Sequence, residues 1–594
     1  MADYGTLVDL VRESLAEAER PVVAERVGGD FAFTGSGALL ARIERLALAL
    51  RDLGLQPGDR VGLMSPNRVD WIACNHAILC AGLVTVPIYP TQALDQVQYI
   101  LQNSAARVLF IDSPDALKRL VEGGVELPHV FVFDARGDGS LSALEVRGEA
   151  LRSALPGAIA GFAAAVKPSD LAVLIYTSGT TGTPKGVMLS HGNIASNAVA
   201  GFSLVPDELP GDDPVLSVLP YAHIYEHMNL YGYLLRRSRV YVCHSPDELL
   251  VDLRTVRPVA FFAVPRIFER MLAGIVGRAR AEGGVRSKLV PWALAAARHY
   301  MRAKISGTPP TQRQRVEYAI AKRLVLSKFR PLLGLDRLLF VGTGSAPLHI
   351  DIALTLEACD IAVLEGYGLT EASPVVTCNT VHERRFGTVG RPIPGVEVRL
   401  GDDGELLVRG PNVMQGYYHD AEATAATIHD GWLATGDIAA IDADGFVRIT
   451  DRKKELFKTS GGKYIAPARV ESAILRSAFV NQVMVFGANQ AHPAALVSPN
   501  WPLVRQELNI PEEVPTPQAA QLPQVVDFMS KELRKRTGDL ATFEQIRKAA
   551  VLPRDLTVEE GELSPTLKIR RRVVEQRYAA LIAGAYEAGP AAGA

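Results

Sequence analysis

Residues 176–186 read Tyr-Thr-Ser-Gly-Thr-Thr-Gly-Thr-Pro-Lys-Gly and concentrate hydroxyl groups, glycines and one cation. The hydroxyls can donate hydrogen bonds to oxyanions, the glycines let the backbone approach a ligand, and the lysine adds a positive charge. The residues concerned are Thr177, Ser178, Gly179, Thr180, Thr181, Gly182 and Lys185. The loop contains no Gly-Lys-Ser or Gly-Lys-Thr, so it is not a Walker motif. It predicts a polyphosphate site of another kind, and a mobile turn between two strands is the alternative.

Several polar loops follow apolar runs that predict buried strands. Residues 171–175 lead into the hydroxyl-rich loop, and residues 214–219 end shortly before His223, a residue type that is more often structural than functional when it stands alone. Two further runs, at 338–341 and 362–364, lead into Gly344, Ser345 and Ala346, and into Gly366, Tyr367, Gly368, Thr370 and Glu371. Because ligands bind beyond the carboxyl ends of strands in open parallel sheets, these loops are expected to converge.

The elements that position these loops alternate between strand and helix from residue 61 onward, which predicts an α/β fold with doubly wound parallel sheets. Residues 135–168 are rich in Gly and Ala and predict a surface connection. Residues 271–333 predict a helical insertion, and hairpins over 387–450 predict a small barrel-like β subdomain. A smaller α+β domain is predicted for residues 453–594, after an N-terminal domain over residues 1–452.

Composition excludes several classes of protein. The formal net charge of −2 gives no reason to expect binding to nucleic acid. The five cysteines have no metal-ligand spacing, and their odd number favours reduced thiols in the cytoplasm. The apolar runs are too short to span a bilayer, and the first residues lack the pattern of a signal peptide, so a soluble intracellular protein is expected. The helical insertion fits a solvated bundle, but a lid over a substrate chain or a peripheral contact with the inner face of a membrane stays open.

Taken together, the motifs resemble those of the adenylate-forming superfamily, which includes acyl-CoA synthetases, the adenylation domains of non-ribosomal peptide synthetases and luciferases. The resemblance is closest to the long-chain fatty acid CoA ligases. It rests on the loop at 176–186, Gly-Tyr-Gly-Leu-Thr-Glu at 366–371, Thr-Gly-Asp at 435–437, Asp-Arg-Lys-Lys-Glu at 451–455, and Ser-Pro-Thr-Leu-Lys ending at Lys568. These motifs occur in the order typical of the family.

The resemblance implies ATP-dependent activation of a fatty acid through an acyl-adenylate, followed by transfer to coenzyme A. It implies that the loop at 177–185 holds the β- and γ-phosphates and that Glu371, with Thr177, holds Mg²⁺. The other nucleotide contacts that it implies are Tyr367 against adenine, Thr370 on the α-phosphate, and Asp437, with Arg452 nearby, on the ribose. His223 then matches a position beside the acyl carboxylate, and the loop at 344–346 lies near the acyl tunnel.

The same resemblance assigns Lys568 to the adenylation step, because its ammonium can bridge the carboxylate and the α-phosphate. It implies that the smaller domain rotates about a hinge at Lys454, and that Gly461 and Gly462 help to shape the pantetheine tunnel. The insertion at 271–333 is also typical of long-chain members. Oligomeric state and preferred chain length stay open at this point.

Three rival functions also stay open. An acyl-AMP ligase would pass its adenylate to an acyl carrier protein, but neither the pattern after the first histidine nor the insertion typical of such ligases is evident here. A non-catalytic protein that binds or transports fatty acids would have lost part of the site, whereas Lys568, Glu371 and the phosphate loop are intact. A luciferase-like oxygenase is the third rival, and nothing in these residues demands it.

Overall fold

The computed structural model describes residues 4–16, 19–155, 157–178, 184–206, 212–245, 247–453, 455–564 and 568–586. The chain folds into two compact units. The first unit comprises residues 1–399, 407–435 and 441–448, and the second comprises residues 400–406, 436–440 and 449–594. The predicted domain boundary at residues 452 and 453 stays a prediction.

The strands alternate with helices through most of the first unit. In chain order the strands are β1 (Pro21–Val27), β2 (Asp30–Gly35), β3 (Arg60–Met64), β4 (Val84–Ile88), β5 (Val108–Ile111), β6 (His129–Val132), β7 (Leu171–Ser178), β8 (Pro184–Ser190), β9 (Pro214–Ser217), β10 (Arg239–Val242), β11 (Ala260–Ala263), β12 (Phe340–Thr343), β13 (Val363–Gly368), β14 (Val375–Cys378), β15 (Arg391–Pro392), β16 (Glu397–Leu400), β17 (Glu405–Arg409), β18 (Gly416–Tyr417), β19 (Ile428–His429), β20 (Trp432–Ile441), β21 (Val447–Arg452), β22 (Phe457–Lys458), β23 (Tyr464–Ile465), β24 (Val480–Phe486), β25 (Ala494–Pro499) and β26 (Ala549–Val551).

The helices are, in chain order, α1 (Leu7–Ala16), α2 (Ser36–Asp52), α3 (Val69–Cys80), α4 (Leu94–Ser104), α5 (Pro114–Glu122), α6 (Leu141–Ala154), α7 (Ala158–Ala165), α8 (His191–Phe202), α9 (Ile224–Leu235), α10 (Leu249–Val256), α11 (Pro265–Glu282), α12 (Gly284–Ile305), α13 (Gln312–Leu324), α14 (Phe329–Leu333), α15 (Ile350–Ala358), α16 (Ala421–Thr427), α17 (Pro467–Ile474), α18 (Trp501–Leu508), α19 (Thr516–Ala519), α20 (Pro523–Thr537), α21 (Arg571–Arg577) and α22 (Ala579–Gly584). Short 3-10 helices span Leu326–Lys328 and Thr370–Ala372. Among the residues that the structure describes, no helix is both long and apolar enough to cross a bilayer.

The first unit contains two large sheets, which we call sheet A and sheet B. Sheet A has the order β15-β14-β13-β12-β11-β9-β10-β1-β2, and sheet B has the order β18-β8-β7-β4-β3-β5-β6. Strands β9, β11, β12 and β13 pair in parallel, so their carboxyl ends lie at one edge of sheet A. Strands β3, β4, β5 and β6 are parallel in sheet B, but β7 and β8 form an antiparallel hairpin. The predicted α/β fold class is confirmed.

The turn from β8 into α8 follows from the sequence at the helix start. The Ser190 hydroxyl accepts a hydrogen bond from the Asn193 amide at 3.1 Å, and the Asn193 side chain accepts one from the Ser190 amide at 2.9 Å. This reciprocal cap satisfies amides that have no partner inside the helix. It ends the hairpin strand and begins α8 at His191.

Two segments differ from their predicted structure. Residues 135–168 contain helices α6 and α7 instead of a plain surface connection. The insertion at 271–333 is helical as predicted, but it is not simply a solvated bundle, because one side of it belongs to the core of the first unit. Its buried residues, Met271, Ala293, Leu294, Ala296, Ala297, Met301, Ala321, Val325, Leu326, Phe329 and Leu333, join the same apolar cluster as Val341 and Val363.

The β-rich part over 387–450 contains the predicted hairpins. The hydrogen-bonded order is β16-β17-β20-β19, with β21 also paired to β20. Within the described residues this order does not close on itself, so the pairing gives a branched sheet instead of the expected small barrel. The long strand β20 accounts for the branching, because its ten residues are long enough to pair with more strands than a short hairpin arm can.

The second unit contains a small α+β core. Strands β24, β25 and β26 form a sheet, and β22 pairs with β23. Helices α17, α18 and α20 contribute Val470, Ile474, Val504, Val525, Met529 and Leu533 to an apolar cluster with Val483, Val485, Ala495 and Val497 of the sheet. All five cysteines of the chain are free thiols.

Candidate functional site

The hairpin of β7 and β8 presents one arm of the predicted phosphate loop. Thr177 lies directly opposite Lys185 in the strand register, and Ser178 lies opposite Pro184. Both Thr177 and Lys185 are half-buried. Other predicted phosphate contacts, Gly179, Thr180, Thr181 and Gly182, lie outside the described residues, as does the side chain of Ser178. The described part of the loop therefore brings one hydroxyl and one ammonium to the same end of the hairpin.

Contacts on two sides hold the Lys185 ammonium. Its Nζ lies 3.6 Å from Asp420 Oδ2 and 5.0 Å from the centre of the Tyr417 ring. An ammonium over an aromatic face is attracted by the negative charge density of the ring. Asp420 also caps α16, because its carboxylate accepts a hydrogen bond from the Ala423 amide at 2.9 Å. Both partners of the lysine thus belong to the segment that carries β18 and α16.

Tyr417 also contacts the predicted metal ligand. Its hydroxyl donates a hydrogen bond to Glu371 Oε1 at 2.9 Å. Burial raises the pKa of Tyr417, and the neighbouring Glu371 carboxylate raises it further, so the hydroxyl stays protonated and acts as a donor. The backbone of Glu371 is fixed as well, because its carbonyl accepts from the Met414 amide at 2.9 Å. One tyrosine therefore contacts both the lysine of sheet B and the glutamate that follows β13 of sheet A.

Asparagines from α8 and from the segment before β18 hold the backbone around Glu371. Asn197 donates to the Val375 carbonyl at 2.7 Å and accepts from the Val375 amide at 3.1 Å. Asn412 donates to the carbonyls of Ala372 and Val375 at 2.9 Å and 3.2 Å. Both side chains are buried, and their bonds satisfy backbone groups of the segment that follows Glu371. The position of Glu371 thus depends on residues far away in the sequence.

The loop after β12 lies close to strand β13. A Cβ atom added to Gly344 would lie 3.2 Å from the Gly366 carbonyl oxygen and 3.8 Å from the Tyr225 ring. Gly368 is packed still more closely, because its Cβ would lie 2.1 Å from the Pro374 carbonyl oxygen. The remaining predicted contacts of these loops, Ser345, Tyr367 and Thr370, are half-buried, and Ala346 is exposed. Close approach of the backbone therefore requires glycine at position 368.

His223 caps the helix that follows β9. Its Nδ1 accepts a hydrogen bond from the Tyr225 amide at 3.2 Å, at the start of α9. Because Nδ1 is an acceptor, the neutral ring carries its proton on Nε2. The ring is half-buried. His223 therefore has a structural role at the carboxyl end of β9, and this role leaves a predicted contact with the substrate untested.

Two glutamates, the buried Glu226 and the half-buried Glu365, were not singled out as site residues by their sequence. Burial raises the pKa of Glu226 to about 7, although its carboxylate accepts hydrogen bonds from Ser217, Asn229 and Tyr233. Burial likewise raises the pKa of Glu365 to about 7. Both follow predicted strand ends, and a carboxylate in that place was the available signal. Shifted carboxylates are typical of functional sites, although structural networks produce them too.

The second unit contains the predicted ribose contacts. Asp437 is buried, and its Oδ1 lies 3.2 Å from Arg452 Nε. The amide of Gly436, the residue before it, donates to Glu405 Oε1 at 2.7 Å. Asp437 is thus more than a turn residue, because it lies inside strand β20 and forms an ion pair.

Lys568 lies in the same unit, close to Ser564. Its side chain is exposed, its amide donates to Ser564 Oγ at 3.1 Å, and its carbonyl accepts from the Ser564 amide at 2.7 Å. Gly461 and Gly462 are exposed in the turn between β22 and β23, where Gly462 has a φ of +77°. The predicted hinge residue Lys454 lies outside the described residues.

The loops that were expected to converge belong to two different sheets. The phosphate loop follows β7 of sheet B, which pairs in parallel with β4 and antiparallel with β8, whereas the motif with Glu371 follows β13 of sheet A. The segment that carries Asn412, Met414 and Tyr417 connects the two sheets at this point. Strand β18 pairs with β8, and the Met414 amide donates to the Glu371 carbonyl. Sequence reasoning missed this segment, whose strand has only two residues.

Comparison with known proteins decides which family has this arrangement. Residues 19–418 match the model of the AMP-binding enzyme family, and residues 455–589 match that of the AMP-binding enzyme C-terminal domain. The chain belongs to the AMP-binding enzyme family. The resemblance to adenylate-forming enzymes is thereby confirmed.

Relatives of this AMP-binding enzyme match it over most of its length. It is 34% identical to the long-chain-fatty-acid–CoA ligase FadD15 of Mycobacterium bovis, over 92% of this chain and 91% of the relative. It is 32% identical to the peroxisomal long chain acyl-CoA synthetase 7 of Arabidopsis thaliana, over 98% of this chain and 87% of the relative. The adenylation domain of a carboxylate reductase from Mycobacterium chelonae shares the fold, with a TM-score of 0.76, 24% identity, and coverage of 98% and 91% of the two chains.

Proposed function

We propose that this AMP-binding enzyme is an acid–thiol ligase that converts a long-chain fatty acid, ATP and coenzyme A into acyl-CoA, AMP and pyrophosphate. The names of its relatives support the substrate class. The observation that carries the proposal is Tyr417, which contacts both Lys185 and Glu371. A cation and a carboxylate held around one ring suit a polyphosphate that arrives with its metal ion.

The first step forms a bond between a carboxylate oxygen and the α-phosphorus of ATP and releases pyrophosphate. A carboxylate is a weak nucleophile and ATP is a polyanion, so the reaction needs charge neutralisation and alignment more than it needs a base. In our proposal Lys185 and the loop of residues 177–182 bind the β- and γ-phosphates. Lys568 bridges the carboxylate and the α-phosphate, and His223 lies beside the carboxylate.

The remaining nucleotide contacts are proposed on the family pattern. Tyr367 lies against adenine, Thr370 binds the α-phosphate, and Asp437 accepts hydrogen bonds from the ribose hydroxyls with Arg452 beside it. The Asp437–Arg452 ion pair supports this assignment, because it holds the buried carboxylate of Asp437 next to a cation in the second unit. Gly344, Ser345, Ala346, Gly366 and Gly368 shape the pocket through their backbone.

Mg²⁺ is proposed to be held by Glu371 and Thr177. The residues fit a metal that arrives with the nucleotide, because Mg²⁺ in such sites uses one or two carboxylates, phosphate oxygens and water. No group of three or more His, Cys, Asp or Glu residues suited to a metal ion occurs in the described part of the chain. Glu371 supplies the carboxylate, and the Tyr417 hydrogen bond orients it. When bound, the metal ion neutralises charge on the phosphates.

The second step is thioester formation, in which the coenzyme A thiol displaces AMP from the acyl-adenylate. We propose that the second unit rotates between the two steps, with Lys454 as the hinge, and that Gly461 and Gly462 then border the pantetheine. The exposed turn that carries these two glycines suits contact with a ligand that comes from solvent. We further propose a cytoplasmic location, because all five cysteines are free thiols, and a peripheral contact with the inner face of a membrane.

Isotope exchange between pyrophosphate and ATP, run with palmitate and Mg²⁺ but without coenzyme A, tests the first step. The expected result is exchange without coenzyme A and net release of AMP only when coenzyme A is added. If release of AMP instead required an acyl carrier protein, the protein would be an acyl-AMP ligase that delivers its adenylate to that carrier. Absence of exchange with every fatty acid would favour a non-catalytic binding protein, and consumption of oxygen with the adenylate would reveal an oxygenase.

A further inference from the structure

Helix α13 has two sides with different surroundings. On one side Ala321 is buried, and the ring of Tyr318 stacks on Tyr300 of α12 with 4.2 Å between ring centroids. The other side exposes three large aliphatic side chains, Val316, Ile320 and Leu324, which are 53%, 45% and 44% exposed. Their spacing of four residues places them in one stripe along the helix. We call Val316, Ile320 and Leu324 the apolar stripe.

Cations border the apolar stripe. Arg313 is three residues before Val316, and Arg323 is three residues after Ile320, and residues three apart are neighbours on a helix surface. Both arginines are exposed. Arg313 forms an ion pair with Glu317 at 2.8 Å. The exposed side of α13 thus combines aliphatic and cationic side chains, whereas the solvent side of a helix in a globular protein is ordinarily polar throughout.

The segment that contains α13 is strongly cationic in sequence, and two of its cations, Arg302 and Lys322, are paired with Asp351 and Asp360 outside the segment. Residues 271–333 contain thirteen lysines and arginines against two glutamates, a net charge of +11, although the whole chain has −2. The cations of this segment are Arg278, Arg280, Arg286, Lys288, Arg298, Arg302, Lys304, Arg313, Arg315, Lys322, Arg323, Lys328 and Arg330. Such a segment attracts a negatively charged surface and repels another copy of itself.

We propose that α13 docks on the surface of an anionic lipid bilayer. The apolar stripe enters the boundary between headgroups and acyl chains, and the arginines beside it bind lipid phosphates. A second copy of this chain does not fit the surface, because it would bring the same excess of cations to the contact. Nucleic acid does not fit it either, because three aliphatic side chains cannot interact with phosphates. The proposed docking is argued from the exposure and charge of α13. Its proposed purpose, which is access to a fatty acid dissolved in the membrane, rests on the proposed function.

Co-sedimentation of the full chain with vesicles tests the docking. Vesicles of phosphatidylcholine alone are compared with vesicles that contain about 30% phosphatidylglycerol, without ATP or coenzyme A, at low and high salt. We expect binding to the anionic vesicles that weakens with salt. The triple variant V316S/I320S/L324S is expected to bind more than tenfold more weakly, since each buried aliphatic group adds to membrane affinity. Loss of each arginine in R313Q and R323Q is expected to weaken binding about fivefold.

Matched controls test whether weaker vesicle binding is specific to the apolar stripe and its arginines or follows from the loss of any exposed side chain. V146S removes an aliphatic side chain that is 72% exposed on α6, and K118Q removes an exposed cation on α5. Neither control is expected to change vesicle binding. An I320W variant gives an independent readout, because its fluorescence is expected to shift to shorter wavelength with anionic vesicles.

Three outcomes would overturn the docking: equal binding to both kinds of vesicle, unchanged binding by the triple variant, or loss of self-association in the triple variant without lipid. The last would make a second copy of the chain the partner. Pyrophosphate exchange with a short, water-soluble acid is expected to be unchanged in every variant of α13. Failure of the docking would therefore leave the proposed ligase function standing, and failure of the exchange in the wild type would leave the docking result valid.

Discussion

The hydroxyl of Tyr417 lies 2.9 Å from Glu371 Oε1 and donates a hydrogen bond to it. Tyr417 belongs to β18 at the edge of sheet B, whereas Glu371 follows β13 of sheet A. Lys185 comes from sheet B and contacts the same tyrosine ring. The tyrosine therefore connects the proposed phosphate contact to the proposed metal contact, and its removal tests whether the two act together.

Tyr417→Phe is expected to lower the rate of pyrophosphate exchange about 10- to 100-fold. The change removes one hydrogen bond to a carboxylate, which contributes roughly 1.5–3 kcal/mol, and keeps the ring under Lys185. Because Glu371 then loses its orientation, the Mg²⁺ concentration needed for half-maximal exchange is expected to rise. Exchange rates measured across a Mg²⁺ titration check both expectations.

The neighbouring tyrosine provides the control for this prediction. Tyr418→Phe removes a hydroxyl one residue away and is expected to leave the Mg²⁺ dependence unchanged. If Tyr417→Phe lowered the exchange rate without any change in Mg²⁺ dependence, the hydrogen bond would not serve the metal contact.

Lys568→Ala is expected to separate the two half-reactions. Removal of the ammonium is expected to lower pyrophosphate release at least 1000-fold, because charge that develops in the transition state loses its partner. Thioester formation from supplied acyl-adenylate and coenzyme A is expected to stay within about threefold of wild type. Arg572→Ala, which removes an exposed cation nearby on α21, is the matched control. Equal loss of both half-reactions in Lys568→Ala would contradict the role assigned to this lysine.

Asn197→Ala is expected to destabilise the first unit by about 2–4 kcal/mol, because the amide and carbonyl of Val375 both lose a buried partner. Glu371 lies four residues before Val375, so the Mg²⁺ dependence of exchange is expected to change as well. Urea unfolding and Mg²⁺ titration measure the two effects. Ser196→Ala, one residue away on the same helix, is expected to change neither. A stable Asn197→Ala protein with the wild-type Mg²⁺ dependence would show that α8 does not position Glu371.

The strands and the loops after them could be predicted from sequence because their signals are local. The apolar runs at 171–175 and 214–219 end within a few residues of the observed strands. Tyr417 and Asn197 could not be found in this way. Their partners are 46 and 178 residues away along the chain, and a residue type does not record which distant carboxylate or carbonyl it contacts. Sequence therefore located the chemical groups but not the residues that hold them in place.

The sequence did not predict helix α6, and Gly148 shows the physical reason. Gly148 lies in the middle of the helix, and an internal glycine lowers helix propensity. In the structure, a Cβ atom at Gly148 would lie 2.0 Å from the Arg45 carbonyl oxygen of α2. The glycine thus permits close packing of two helices, and that gain is invisible to local propensity. Tertiary packing overrode the local signal at this position.

Glu226→Gln is expected to remove a loss of folding stability that the wild type shows as the pH rises. Burial raises the pKa of Glu226 from 4.5 to about 7, so between these values the folded protein keeps a proton that the unfolded chain has lost. Stability from this group therefore falls as pH rises through that window, by up to about 3 kcal/mol at pH 8. Glutamine cannot ionise, and its amide can donate to Asn229 Oδ1, which is buried and has no hydrogen-bond partner within the described residues. Thermal unfolding measures this effect. The stability of Glu226→Gln relative to that of the wild type is expected to be greater at pH 8 than at pH 5. For the exposed control Glu122→Gln, the difference in stability from the wild type is expected to be small and equal at both pH values. A difference between Glu226→Gln and wild type that did not change with pH would mean that this buried carboxyl ionises at its ordinary value.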